Sequence, residues 1–204
     1  MARKTKIEAL ITRQRILNAA LEIFSSKGFT STSLSDISTL ANVTRGAIYW
    51  HFENKDDILH EIFCDFEVMK SEHIKPFHVM LNTNPLIALK EALIKTLDII
   101  YHDKKQAKIM SLIFFDRELA YKNNSVRNIR KNILFNDGDI ESALTKCKES
   151  GIYQESFDIQ KNATMIRIFV IGIIECWLTE PDKFNLFQDG EKAIARFLDT
   201  TPII

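Results

Sequence analysis

Thr32-Ser33-Leu34-Ser35-Asp36-Ile37-Ser38-Thr39-Leu40-Ala41-Asn42-Val43-Thr44-Arg45-Gly46-Ala47-Ile48-Tyr49-Trp50-His51-Phe52-Glu53-Asn54-Lys55 reads as two short helices joined by a tight turn. Ser33 and Asp36 have the spacing of a capping box that opens the first helix, whose Leu34, Ile37 and Leu40 face inward. Asn42-Val43-Thr44 supplies the turn, and Thr44 can cap the second helix. Ile48 and Phe52, four apart, point to the core. Arg45, Tyr49, Trp50 and His51 are then crowded onto one short helix. A buried core has little use for that set, whereas the phosphates and base edges of a DNA major groove do.

Each residue type has its own use there. Arg45, near the amino end of the second helix, carries a planar fork that can pair with O6 and N7 of guanine. Gly46 lets backbone approach a base or phosphate closely. Tyr49 and His51 can donate to phosphate oxygens, and Lys55 can add a point charge. Ser33 and Thr44 combine hydroxyls with the free N–H groups of helix starts. Arg3, Lys4 and Lys6 would form a basic arm able to reach an adjacent minor groove. The plainer alternatives are that Ser33 and Thr44 are caps alone, that Lys55 is a solvated lysine, and that Tyr49 and Trp50 pack on the first helix.

Working outward, apolar spacing of 3.6 residues recurs almost throughout and sustained alternation is absent, so the fold class is all-α. Ile16, Leu17, Ala20, Leu21 and Phe24 stripe a first helix that Gly28 would terminate. Asn54 and Asp57 open a long fourth helix carrying Ile58, Leu59, Ile62, Phe63 and Phe66, which Pro76 is expected to end. Asn84-Pro85 opens another, striped by Leu86, Leu89, Leu93, Leu97 and Ile100. Further helical segments are expected at 104–119, 140–149, 158–178 and 189–198, with a polar, basic stretch at 121–135 and a loosening at 136–139.

The 204 residues carry no net charge, but residues 1–52 have seven basic against three acidic side chains, a balance of +4. A basic end on an otherwise acidic chain suits a polyanion. Cys64, Cys147 and Cys176 are scattered, which fits apolar fillers on helices in a reducing cytoplasm better than disulfides or a zinc site. The basic start is not followed by a signal-type apolar stretch, and the most apolar window, Ile168–Ile174, is far short of the roughly 20 residues that span a bilayer. A soluble cytoplasmic protein without membrane attachment is expected. No nucleophile–base pair, metal cluster or phosphate loop is visible, and His60, His73, His78 and His102 stand apart, so no catalytic residue, metal or cofactor is assigned.

Thr-Arg-Gln-Arg-Ile-Leu from Thr12, Ala-Leu-Glu-Ile-Phe, Gly-Phe, the Ser33–Val43 helix-turn, Thr-Arg-Gly-Ala-Ile-Tyr-Trp-His-Phe and Asn-Lys together resemble the TetR family of helix-turn-helix regulators. The start Met-Ala-Arg-Lys-Thr-Lys and the Val43–Phe52 run look most like its acriflavine-resistance repressor branch. The match covers Thr12 to about Phe63 and fades beyond about residue 70. It implies a three-helix DNA-binding domain at 1–55 and a larger helical ligand-binding and dimerisation domain at 56–204. It also implies a homodimer on a double-stranded palindromic operator, regulating an efflux operon.

The second half has means for both tasks. Phe63, Phe66, Met110 and Phe114 are adaptable apolar side chains, and Glu67 lies beside the Phe63 stripe. A carboxylate against aromatic faces would attract a small hydrophobic or cationic ligand. The resemblance gives a fourth-helix glutamate this role, and Glu67 looks like its counterpart; equally, the aromatics could be core and Glu67 surface. The Met165–Leu178 helix, apolar nearly all round, and the last helix would bury Ile174, Trp177 and Phe197 against a second subunit, or inside a monomer. The leading reading is a ligand-released repressor of a multidrug efflux operon. The alternatives are an activator, a regulator controlled by a protein partner, and a helical enzyme.

Overall fold

Ser33 opens a helix through a reciprocal pair of bonds: the Asp36 N–H donates to Ser33 Oγ at 3.1 Å, and the Ser33 N–H donates to Asp36 Oδ2 at 2.8 Å. The computed structural model describes residues 6–123, 126, 129 and 137–200, and the regular elements among them are all helical. The first three are α1 (Lys6–Lys27), α2 (Leu34–Leu40) and α3 (Arg45–His51). α1 buries Ile16, Leu17, Ala20, Leu21 and Phe24 as one stripe. It stops at Gly28, whose φ of 85° is the left-handed conformation that a side chain resists. The α2–α3 turn is made by Asn42 at φ 50°, a residue type that tolerates this region. Leu40 does not face inward: it is 52% exposed, because the buried row of α2 runs through Ile37, Ser38 and Ala41.

The chain divides into two compact units, residues 1–69 with 108–123, and residues 70–107 with 124–204. The first holds α1 to α3, the start of α4 (Lys55–Met80), the end of α6 (Lys104–Phe115), and α7 (Arg117–Lys122). Asn54 caps α4 by accepting from the Asp57 N–H at 2.9 Å, and Ile58, Leu59 and Ile62 are no more than 1% exposed. Pro76 does not end α4, which continues to Met80 with the proline inside. Proline removes one backbone donor but leaves the flanking turns to hold the helix. The segment expected at 104–119 is broken at Asp116, whose Oδ1 accepts from the Leu119 N–H at 2.9 Å and so starts α7.

The second unit contains the end of α4, α5 (Pro85–His102), α8 (Asp137–Glu149), α9 (Ile159–Thr179) and α10 (Gln188–Thr200). α5 packs on α8 and α10, and α8 on α9. A Cβ on Gly190 would sit 2.5 Å from Leu97 Cδ1, so α10 can approach α5 this closely only without a side chain. Asp137, Gly138 and Asp139 form the first turn of α8 and do not break it. Most of the 121–135 stretch lies outside the described residues. Of the cysteines only Cys147 is buried, with its thiol pushed up to about 11 by burial, while Cys64 and Cys176 are exposed.

α9 departs most from expectation. It is a 21-residue helix, long and apolar enough by length and composition to cross a membrane, because Arg167 and Glu175 interrupt the apolar run without ending the helix. It is not apolar-buried all round. Asn162, Ala163, Ile166, Val170 and Ile174, which share one face of the helix, point inward. Met165 and Ile168 are 46% and 59% exposed on the other side.

Candidate nucleic-acid interface

α3 is a short helix with a sharply divided surface. Ile48 and Phe52 are 0% and 2% exposed, locking one face to the core. Thr44, Arg45, Gly46 and Tyr49 face solvent, and His51 is half-buried. The Thr44 hydroxyl accepts from the Ala47 N–H at 3.1 Å, which caps the helix and spends that oxygen locally. Arg45 Nη2 lies 3.5 Å from the Tyr49 hydroxyl one turn on, so guanidinium and phenol form one outward edge. A Cβ on Gly46 would meet nothing closer than Thr44 Oγ1 at 3.8 Å. The fold therefore does not need glycine there.

The sequence leaves Trp50 between the outward set and packing on α1; it is 72% exposed and meets the His51 ring edge-to-face at 4.4 Å. The signal was available: with Ile48 and Phe52 four apart and inward, position 50 falls on the opposite side of the helix. An indole beside Tyr49 enlarges the outward edge with an apolar face and one N–H donor.

Several basic side chains are committed within the fold. Lys55, expected to reach a phosphate, donates to the carbonyls of Phe29 at 2.6 Å, Thr32 at 2.8 Å and Thr30 at 3.3 Å. Burial pulls its ammonium below the ordinary lysine value, against the opposing charges of Asp56 and Asp116. Arg15 donates to the Ala41 carbonyl at 2.6 Å and the Asn42 carbonyl at 3.2 Å, bracing the α2–α3 turn. Arg13 pairs with Glu61, its guanidinium 5.2 Å from the centre of the Phe52 ring. Lys27 pairs with Asp36 at 2.9 Å. The Ser33 N–H, then Lys27 and the Ser33 hydroxyl, hold the Asp36 carboxyl down to about 2. Ser33 is exposed, Lys6 is the exposed first residue of α1, and Arg3 and Lys4 lie outside the described residues.

The expected ligand residues all fall within the first compact unit. Phe63, Phe66 and Phe114 are 3% exposed and Met110 is 2%, while Glu67 is half-buried. A second candidate place lies in the other unit. A cavity of about 480 Å³ opens beside the end of α4 and α5, lined by Phe77 and Met80 with Glu72, His73, Glu91 and Lys95 among its polar residues. Reading Pro76 as a helix end hid it, since Phe77 and Met80 join this lining only because α4 runs on to Met80. Among the described residues no group of three His, Cys, Asp or Glu side chains could hold a metal ion.

Of the residues expected between subunits, Ile174 is 0% exposed inside its own chain, because it belongs to the inward stripe of α9. Trp177 is half-buried, 6.0 Å from the Tyr101 ring, and Phe197 stacks on Phe169 at 4.2 Å. The outward row of α9 is instead Met165, Ile168, Gly172 and Cys176, three and four residues apart, and a Cβ on Gly172 would meet open space.

The family profile described as "Bacterial regulatory proteins, tetR family" matches residues 16–62, and "MAATS-type transcriptional repressor, C-terminal region" matches 84–202. The chain belongs to the tetR family. This TetR-family protein is 35% identical over 200 residues to the HTH-type transcriptional regulator AcrR of Shigella flexneri, covering 98% of this chain and 93% of the relative. It is 29% identical over 198 residues to the probable acrEF/envCD operon repressor of Escherichia coli strain K12, with 97% and 90% covered. Among solved structures, the SmeT–triclosan complex matches at a TM-score of 0.73 and 26% identity, over 93% of this chain and 90% of that one. The protein is a DNA-binding transcriptional repressor and not an enzyme, and the α2–α3 pair is the helix-turn-helix of its family.

Proposed function

We propose that this TetR-family repressor acts in the cytoplasm as a homodimer on a palindromic operator of a multidrug-efflux operon, and leaves it when a hydrophobic, often cationic, compound binds. The outward edge of α3 carries the reading: Arg45, Gly46, Tyr49 and Trp50 face away from a helix that Ile48 and Phe52 lock to the core. Arg45 reads a guanine, Gly46 admits the backbone, and Tyr49, Trp50 and His51 set register on phosphate and sugar. Ser33, Thr44 and Lys6 contribute at the margins, with Arg3 and Lys4 as an arm. Reading is assigned to residues 1–55, and sensing and pairing to 56–204.

The outward row Met165, Ile168, Gly172 and Cys176 supports pairing, since a partner helix would cover apolar surface that its own chain leaves open. Efflux control is supported by the operon named for the Escherichia coli relative, and a small apolar ligand by the triclosan held by SmeT. The ligand contacts Phe63, Phe66 and Glu67 on α4 and Met110 and Phe114 on α6. The cavity beside the end of α4, with Glu72 and Glu91 among its lining, favours a second placement. Calorimetry with tetraphenylphosphonium separates the two: Glu67→Gln weakens binding in the first case, Glu91→Gln in the second.

Footprinting on the DNA upstream of its own gene tests the whole reading. Two symmetric protected half-sites about 34–36 Å apart, lost on adding tetraphenylphosphonium or triclosan, are expected. A single asymmetric footprint would refute the dimer, and protection indifferent to both compounds would refute ligand release.

A further inference from the structure

The connection between α1 and α2, residues 28–32, is gripped from two sides. Lys55, the first residue of α4, holds three of its carbonyls. Asp116, at the α6–α7 junction, holds its backbone from the other side, for the Phe29 N–H donates to Asp116 Oδ2 at 2.8 Å. The other Asp116 oxygen caps α7 through Leu119, so the carboxylate cannot follow the loop without giving up its own helix. Within the loop, the Thr32 hydroxyl donates to the Gly28 carbonyl at 2.7 Å, and Thr32 is followed at once by Ser33, the cap of α2. α6 is further tied to α1 by the Lys108–Glu22 ion pair.

The two gripping residues sit on the two helices that carry the proposed ligand residues. Lys55 shares α4 with Phe63, Phe66 and Glu67; Asp116 follows Phe114 by two residues and Met110 by six. The junction is not packed solid. A cleft of about 340 Å³ opens there, lined by Phe24, Gly28, Thr30, Ser111, Phe115 and Asp116. The hydrogen bond to Phe29 is therefore a specific tie with room around it. A 2.8 Å bond is lost once its atoms part by about 1 Å, a displacement within reach of a ligand wedged against Phe114.

We infer that the 28–32 loop couples ligand to operator, with Asp116 as the positioning residue that transmits movement of α6 to the cap of the helix-turn-helix while Lys55 transmits movement of α4. The inference rests on the proposed ligand reading. It explains why the end of α6 and all of α7 share a compact unit with the reader although they lie far along the chain. With both grips closed, α2 and α3 keep operator register. Ligand parts α4 from α6, one grip opens, and Ser33 loses its fixed starting point.

The test compares wild type with Asp116→Ser and Asp116→Asn, both able to cap α7 but without the carboxylate that reaches Phe29. Operator affinity is measured by anisotropy with and without saturating tetraphenylphosphonium, alongside the calorimetric Kd of that probe and the melting temperature. In wild type the probe should weaken operator binding about tenfold or more. In the variants that ratio should fall below about twofold, with probe Kd and melting unchanged, a pattern loss of structure alone does not produce. A wild-type ratio in both variants overturns the coupling role of Asp116. Wild type that holds its operator at saturating tetraphenylphosphonium and triclosan overturns the ligand reading itself, and the coupling with it. Should the variants not fold, amide exchange in wild type decides: the Phe29 N–H should lose protection when probe binds, and unchanged protection overturns the inference.

Discussion

The ammonium of Lys55 lies 4.4 Å from the centre of the Phe29 ring and donates to the Phe29 carbonyl at 2.6 Å, so one residue of the α1–α2 connection is held by the start of α4 through both ring and backbone. The ring in turn meets Phe24 edge-on at 5.1 Å, which passes the contact into the core of α1. A lysine that reads as a phosphate contact in the sequence also serves as a clasp between α4 and the α1–α2 connection.

Lys55→Met keeps the length of the side chain and removes the charge. Loss of three acceptors for a charged donor should cost about 2 kcal/mol in urea unfolding. Operator affinity should weaken with the slope of log Kd against log salt unchanged. A slope smaller by about one would show that Lys55 neutralises a phosphate in the complex.

Gly46→Ala separates fold from reading. The new methyl fits at 3.8 Å from Thr44 Oγ1, and alanine should gain about 0.5–1 kcal/mol in a helix. Thermal stability should rise while operator binding weakens about tenfold, which is roughly 1.4 kcal/mol. Unimpaired binding would mean that DNA backbone does not come close at this position.

Trp50→Ala should leave stability within about 0.5 kcal/mol, since the indole is 72% exposed. It should weaken specific and scrambled operators alike, as a register contact does. Arg45→Ala should lose about 1–3 kcal/mol on the specific operator and relax preference at one guanine. Competition with base-substituted operators checks both.

The acid limb of stability should carry the signature of Asp36. Its carboxyl is held at about 2 in the folded chain against 3.8 ordinarily, so folding favours the charged form. The contribution is present in full above 3.8 and is lost as pH falls from there to about 2. Urea midpoints of wild type and Asp36→Asn should differ near neutrality and converge across that window. A constant gap at all pH values would mean that the box holds without its charge.

On α9, Ile168→Asp and Ile174→Ala should act oppositely. Ile168 faces out, and a charge there should yield folded monomers in sedimentation. Ile174 is fully buried in its own chain, and truncation should cost about 2–5 kcal/mol without changing the subunit count. A variant Ile168→Asp that remains dimeric would place the subunit contact elsewhere.

The helix-turn-helix was legible because its determinants lie within four residues of one another. Ser33 with Asp36, Thr44 with Ala47, and Ile48 with Phe52 are pairs that a helix itself brings together. The same short range misled elsewhere. Pro76 carries a local penalty for helix, yet α4 absorbs it, and Asp116 sits in an apolar run whose periodicity gives no hint that the helix stops and restarts there.

Sequence alone determined the all-helical class, the capped reader and its outward Arg45-Gly46-x-x-Tyr49 edge, since propensity, capping and apolar spacing are local. Tertiary structure alone decided where long side chains end. Lys55 finds its carbonyl 26 positions away, and Asp116 its N–H 87 positions away. It also decided which face of α9 is inward, turning Ile174 into core and leaving Ile168 exposed. The physical reason is that a charged or polar tip goes to whichever unsatisfied backbone group the fold brings within about 3 Å, and an apolar stripe records only that one face is buried, not against what.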